Sequence, residues 1–464
     1  MKQFRLLCIF LIVASASLLA QSNPVALIYQ PLTPSVIEPG HATFALTVHG
    51  TAFVQGASVQ WNGTPLKTQF VSAQLLKAQV PAKLVAVSTT SSVTVKNPNV
   101  IASNVIYFSA RTPSSTVTVK ANTQAVEAGQ VAIGDFNNDS KPDLSVQAVD
   151  QFLDVYLNSG HGSFAKVTGP EWGGSDVLPA PIDVVADFNG DGNLDLSMCS
   201  SSGGPTTGCV IYLGDGLGNL TQVSGFNIVQ GSGVVADMNR DGILDYVTVV
   251  ESGDGIGSSL LVNIGNGDGT FQRASAIPLN GNKIGGTPVV GDFNRDGSLD
   301  VAVPLGTNVA VFLQKADGTF RQEVDYPVAN PGSSLAVADV NGDGILDIVT
   351  SGVSVLLGKG DGTFTAGNSI LLPAVSGNLE IADINGDGAL DLVTATMNSD
   401  FNQTVDILLG DGNGSFQNPI TFAEGVAYLF PSVGVADLNR DGKLDIVVSG
   451  QSFTALLFQN SSSR

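Results

Sequence analysis

The feature that most constrains this chain is a nine-residue acidic phrase that it repeats seven times. Residues 187–195 read DFNGDGNLD, and near-copies begin at Asp135, Asp237, Asp292, Asp339, Asp383 and Asp437, at intervals of 52, 50, 55, 47, 44 and 54 residues. A period near 50 means that each unit is one supersecondary piece, too small to hold a core alone, that must stack on its neighbours. Each unit has the same grammar. An apolar run ends in a small residue and Asp, as in SLAVAD (334–339), and the acidic loop follows. A β-branched run comes next, as in LDIVTSG (346–352). VSVLLGKGDGTF (353–364) then gives a strand and a Gly-rich turn ending in Phe, and a looser strand leads onward. Four short strands joined by tight turns and repeated around an axis predict a β-propeller. No helical periodicity beyond a turn or two is visible.

The ends of the chain predict a closed ring. Six units carry the second turn, but the seventh stops at TALLFQNSSSR (454–464). The missing strand is present at the other end, as STVTVKANT (115–123), where it can complete the last blade and leave no open sheet edge. The expectation is a seven-bladed ring rather than an open solenoid.

Within each loop, positions 1, 3, 5 and 9 are invariant. They are Asp135, Asn137, Asp139 and Asp143; Asp187, Asn189, Asp191 and Asp195; Asp237, Asn239, Asp241 and Asp245; Asp292, Asn294, Asp296 and Asp300. The last three sets are Asp339, Asn341, Asp343 and Asp347; Asp383, Asn385, Asp387 and Asp391; Asp437, Asn439, Asp441 and Asp445. Alternate oxygen-bearing side chains on a tightly turning backbone suit Ca²⁺, which takes six to eight hard oxygen ligands. An EF-hand needs an acid at position 12 and flanking helices. Position 12 here is Val146, Met198, Thr248, Val303, Thr350, Thr394 or Val448, and the flanks are β-branched. The bland alternative is seven solvated hairpin turns, which does not explain four invariant positions. Up to seven structural Ca²⁺ are therefore expected, each fixing one blade. Loop 1, DFNNDSKPD, has Ser140 in place of Gly and Pro142 after it, which puts its turn and its affinity in question.

The phrases VADFNGDGNLDL, VADVNGDGILDIV and VADLNRDGKLDIVV, each paired with a GDGTF-type turn, resemble FG-GAP/VCBS repeats over residues 115–464. That resemblance implies the seven-bladed, calcium-binding propeller of integrin α-subunits and many secreted bacterial proteins.

Residues 24–110 contain no acidic loop. Alternating runs such as HATFALTVHG (41–50) and SSVTVKNP (91–98), separated by turns every 8–12 residues, predict a small antiparallel sandwich. The stretch from Leu46 to Pro81 is similar to IPT/TIG immunoglobulin-like domains. Trp61 suits the core or strand surface better than a ligand platform. Residues 111–116 are expected as a linker and 117–464 as the propeller, so the whole is all-β. Residues 1–20 carry Lys2, Arg5 and a short apolar run, which predicts a secretory signal peptide cleaved after Ala16 or Ala20, a buried strand being the alternative. An exported chain retaining Cys199 and Cys209 is expected to join them in a disulfide, two free thiols being the alternative.

A formal net charge of −21 argues against nucleic acid or an anionic membrane as partner, and no later stretch is long enough to span a bilayer. No zinc spacing, nucleophile elbow or phosphate loop is present, and His41, His49 and His161 form no cluster. The expectation is a secreted, monomeric, non-enzymatic scaffold of adhesion type for an extracellular protein or glycan. A carbohydrate-binding lectin and a polysaccharide-active enzyme are the alternatives. In an up-and-down blade the acidic loop and the GDGTF turn share one face. Variable loops on the other face make Trp172, Phe401, Tyr428 and Phe430 candidate ligand contacts.

Overall fold

The computed structural model describes residues 22–114, 116–121, 126–148, 152–171, 182–199, 209–223, 233–251, 258–272, 276–279, 286–372, 375–397, 402–426, 432–450 and 453–459. Apart from one 3₁₀ turn at Ala82–Val85, every regular element among them is a strand. No helix among the described residues is long and apolar enough to cross a membrane.

The N-terminal region is a two-sheet sandwich. Phe44–Thr51 pairs with Leu27–Ile28 and Leu75–Val80 in one sheet; Thr89–Lys96 pairs with Ser58–Trp61 and Ile106–Ala110 in the other. Alternation along these strands sends Leu46, Val48, Leu76, Ala78, Val93 and Val95 into a single core with Trp61 and Phe108. Trp61 is 2% exposed, its ring 5.3 Å from that of Phe108, so it is a core residue.

After the sandwich come successive antiparallel four-stranded units. In each, the acidic loop joins the first strand to the second. The loop always spans the last residue of one strand and the first of the next, as from Ala338 to Asp347 or from Gly134 to Asp143. The chain ends meet as expected: Val119–Ala121 pairs antiparallel with Phe453–Gln459, Val119 opposite Gln459. That strand joins the last unit, and Gly129 opposite Gly450 merges it with the first into one eight-stranded sheet. First strands pack side by side around the axis, and Ser432–Ala436 of the last unit lies against Gly129–Gly134 of the first.

Hydrophobic clusters form between sheets rather than within them. One joins Phe136, Leu153 and Val155 of the first unit to Leu196, Met198 and Tyr212 of the second. Another joins Leu144, Val146 and Tyr156 of the first unit to Leu438, Val447 and Leu456 of the last. Cys199 and Cys209 lie opposite each other on adjacent strands and are joined as a disulfide.

Candidate functional site

Each acidic loop is wound around its first aspartate. In loop 5 the Asp339 carboxylate accepts the amides of Gly342, Asp343 and Gly344 at 2.7–3.1 Å. Asn341 Oδ1 also accepts the Asp343 amide, and Asp343 Oδ1 accepts that of Ile345. This winding needs positive φ at positions 4 and 6. Position 6 is glycine in six loops, and in loop 1 Ser140 takes the same conformation at φ 64°. Its amide still donates to Asp135 at 2.8 Å, as Gly192 does to Asp187. Loop 1 therefore keeps the common turn despite its altered sequence, at a backbone cost of about 1–3 kcal/mol.

The ninth position does something the spacing did not reveal. Asp347 is fully buried; one oxygen accepts the Val340 amide at 3.0 Å and the other the Gly358 amide at 2.9 Å. The first amide belongs to position 2 of the same loop. The second opens the Gly-rich turn between strands three and four. All seven copies repeat this clamp: Asp143 holds Phe136 and Asn158, Asp195 holds Phe188 and Gly214, Asp245 holds Met238 and Gly265. Asp300 holds Phe293 and Gln314, Asp391 holds Ile384 and Gly410, and Asp445 holds Leu438 and Gln459. Burial pushes the carboxyls of Asp143, Asp195, Asp245, Asp300, Asp347 and Asp391 up to about 7 and that of Asp445 to about 8, against the pull of these amides.

Position 2 is the apolar peg of the loop and a second feature missed in the sequence. In loops 1, 4 and 5 its carbonyl accepts an amide from the Gly-rich turn of the next sheet: Gly218 to Phe136, Gly362 to Phe293 and Gly414 to Val340, each at 3.1 Å. Gly162 of the first sheet donates to Leu438 of loop 7 at 3.2 Å, so the same bond crosses the closure. An apolar residue between the first Asp and an Asn–x–Asp pair, present in all seven loops, is the signal that could have marked these positions.

The sandwich sits on this loop face. Val25 N donates to Asp237 Oδ2 at 2.8 Å, and Gln74 Nε2 to Asp292 Oδ2 at 3.1 Å. The Tyr29 hydroxyl accepts the Asp292 amide at 3.0 Å, and Gln30 accepts that of Asp339. Thr90 lies beside Asp437, and Ser35 donates to Gly388 O at 3.0 Å. Tyr107 packs against the clusters on both sides of the seventh unit. A face expected to offer seven near-identical turns is thus divided. Asp237, Asp292 and Asp437 are 4–5% exposed beneath the sandwich, whereas Asp135, Asp187 and Asp339 are less covered.

The FG-GAP-like repeat family matches residues 135–198, 187–248, 237–303, 305–350 and 383–448, more than half of the chain. The chain belongs to the FG-GAP-like repeat family. The IPT/TIG domain family matches residues 29–127, running past the sandwich strands into the strand that completes the last unit. No curated protein matches the sequence. Among solved structures, an auxiliary nutrient binding protein from Bacteroides ovatus is 12% identical with a TM-score of 0.37, covering 94% of this chain and 98% of that one. Its counterpart from Bacteroides thetaiotaomicron is 10% identical with a TM-score of 0.39, covering 94% and 98%. A protein of the latter organism provisionally named a phosphatase is 12% identical with a TM-score of 0.37, covering 95% and 98%.

The FG-GAP-like loops fit a hard divalent cation. Each carries three carboxylates and an amide oxygen along one turn, and burial, reinforced by the charges at positions 1 and 5, raises the carboxyl at position 9. Asp292 Oδ1 is buried without a hydrogen-bond partner, an acceptor left over for a cation. Clamped position-9 oxygens each retain a second lone pair. Among the described residues no three His, Cys, Asp or Glu side chains stand as a preformed cage, because the loop carboxylates are turned toward backbone amides. Trp172, Phe401, Tyr428 and Phe430 lie outside the described residues, as does the segment expected to be a signal peptide.

Proposed function

We propose that this chain is a secreted, non-enzymatic binding scaffold whose repeats close into a seven-bladed propeller stapled by up to seven structural Ca²⁺. The observation that carries this reading is the sevenfold recurrence, on one face, of an oxygen-rich loop clamped into its own sheet by a buried position-9 aspartate. Residues at positions 1, 3 and 5, with a carbonyl from position 7 and an oxygen of position 9, would hold the ion. Asp135, Asn137, Asp139 and Asp143 and their six counterparts are the proposed ligands. The ion would supply charge neutralisation and loop rigidity. In this reading the ligand, an extracellular protein or glycan, meets the face opposite the sandwich, where Trp172, Phe401, Tyr428 and Phe430 are the candidate contacts. The clamps leave position-9 acids engaged with amides rather than presented to a substrate, which supports binding over catalysis.

Binding to the folded state alone stabilises by about 2.7 kcal/mol per site at a hundredfold excess over Kd. The mature chain should therefore melt well below its calcium-loaded temperature when a chelator is present, and atomic emission should count up to seven calcium ions per chain. An unchanged melting temperature would sink the structural-calcium reading. A glycan array and a pull-down from extracellular medium separate sugar from protein ligands, and glycan release by the purified chain would overturn the non-enzymatic reading.

A further inference from the structure

Loop 6 differs from its six counterparts in holding a buried cation of the chain's own. Arg111 follows the last sandwich strand and is anchored there by its amide, which donates to Ile37 O at 2.8 Å. Its side chain is 4% exposed and reaches into loop 6, where Nη2 donates to Asp383 O at 2.9 Å and lies 3.7 Å from Asp383 Oδ1. Asp391, Asp437 and Asp441 also act on this guanidinium, so it stands between loops 6 and 7. Among the described residues this is the only ion pair made by a first-position aspartate.

The loop is shaped for it. Position 4 is Gly386, and a Cβ there would run into the Arg111 guanidinium. Loops 3, 4 and 7 carry Arg240, Arg295 and Arg440 at that position, in the same left-handed conformation. Ser114 N donates to Asn385 O at 2.9 Å, holding the chain after Arg111 against the loop. Arg111 Nε is buried without a partner, so the guanidinium is held there by charge and by the fit of the loop rather than by a full hydrogen-bond set.

We propose that Arg111 is an internal counter-cation of loop 6, which makes this loop the weakest divalent-cation site of the seven. A guanidinium stays protonated at any working pH, and a divalent ion ligated by Asp383 would share that carboxylate with it in a poorly solvated place. Like charges so placed raise the dissociation constant of the loop. The proposal rests on the calcium reading above, and the test keeps the two apart.

The experiment is a calorimetric Ca²⁺ titration of the metal-stripped full chain, with bound calcium counted by atomic emission. The wild type should show one site at least tenfold weaker than the rest. R111Q should tighten that site at least tenfold, R111K should resemble the wild type, and D383N added to R111Q should abolish the gained site. Unchanged or weaker binding in R111Q would overturn the proposal, because the guanidinium would then be irrelevant to the ion or would be positioning Asp383 for it. Should R111Q fail to fold, D383N alone decides: loss of only the weakest site supports the proposal, and loss of a tight site refutes it. A wild-type chain that takes up no calcium at any loop would instead refute the calcium reading.

Discussion

The sandwich and the repeats solve the same problem with different materials. The sandwich gathers its buried apolar residues, from Ala26 to Ala110, into one cluster. Each repeat contributes only half of a cluster and borrows the rest from the next sheet, then fixes its loop with one buried carboxylate. A small unit repeated around a ring has too little interior to hold its turns by apolar packing alone. It substitutes a local polar clamp, and the cost of burying that carboxylate is offset by two backbone amides that would otherwise be unpaired. The comparison predicts that the two regions fail differently.

The largest effect should come from removing one carboxylate. Asp347→Ala leaves the Val340 and Gly358 amides without acceptors, a loss of about 2–6 kcal/mol at roughly 1–3 for each orphaned group. Hydrogen exchange at those two amides should rise by more than global unfolding accounts for. Phe108→Ala in the sandwich should cost about 3–5 kcal/mol through a cavity while leaving the clamp amides protected. Equal exchange in both variants would erase the distinction between clamp and core.

A smaller effect should follow from the disulfide. The bridge closes a separation of 10 residues between adjacent strands of the second unit, and removing both cysteines should cost about 2–3 kcal/mol. Melts of the double alanine variant measure the loss, and peptide mapping of unreduced protein should find neither thiol alkylated. No bridge of this kind ties the sandwich.

The smallest effect concerns pH. Glu380 lies on the first strand of the sixth unit, beside Tyr107 of the sandwich, and burial raises its carboxyl from 4.5 to about 7. A folded-state pKa above the unfolded value means that the native chain holds the extra proton between about pH 4.5 and 7. Its contribution to stability therefore falls as pH rises through that window and is lowest above it. Glu380→Gln should flatten this slope and leave the variant about 1–2 kcal/mol more stable at pH 8, less than full linkage because the carboxyl is only partly covered. Parallel urea melts at pH 5 and pH 8 test it, and identical pH slopes in the two proteins would contradict it.

What the sequence by itself determined is the repeat. The spacing of Asp135, Asp187 and their five successors set the unit, the strand order and the position of each loop, because a hairpin's turn residues and flanking β-branched runs are local in the chain. The strand that completes the last unit was legible too, from a turn missing at one end and a spare strand at the other. The role of position 9 was not. Asp347 looks like one more oxygen ligand until the third strand brings Gly358 N, 11 residues on, against its second oxygen. Nor could the sandwich be placed. Its contacts run from Val25 to Asp237, Gln74 to Asp292 and Arg111 to Asp383, separations of 212, 218 and 272 residues. They use a main-chain amide, a glutamine and one arginine, groups that carry no pattern along the chain. Only the folded ring, by gathering all seven loops onto one face, makes a surface on which those groups find their acceptors. Docking there turns seven alike sequences into loops with unlike surroundings.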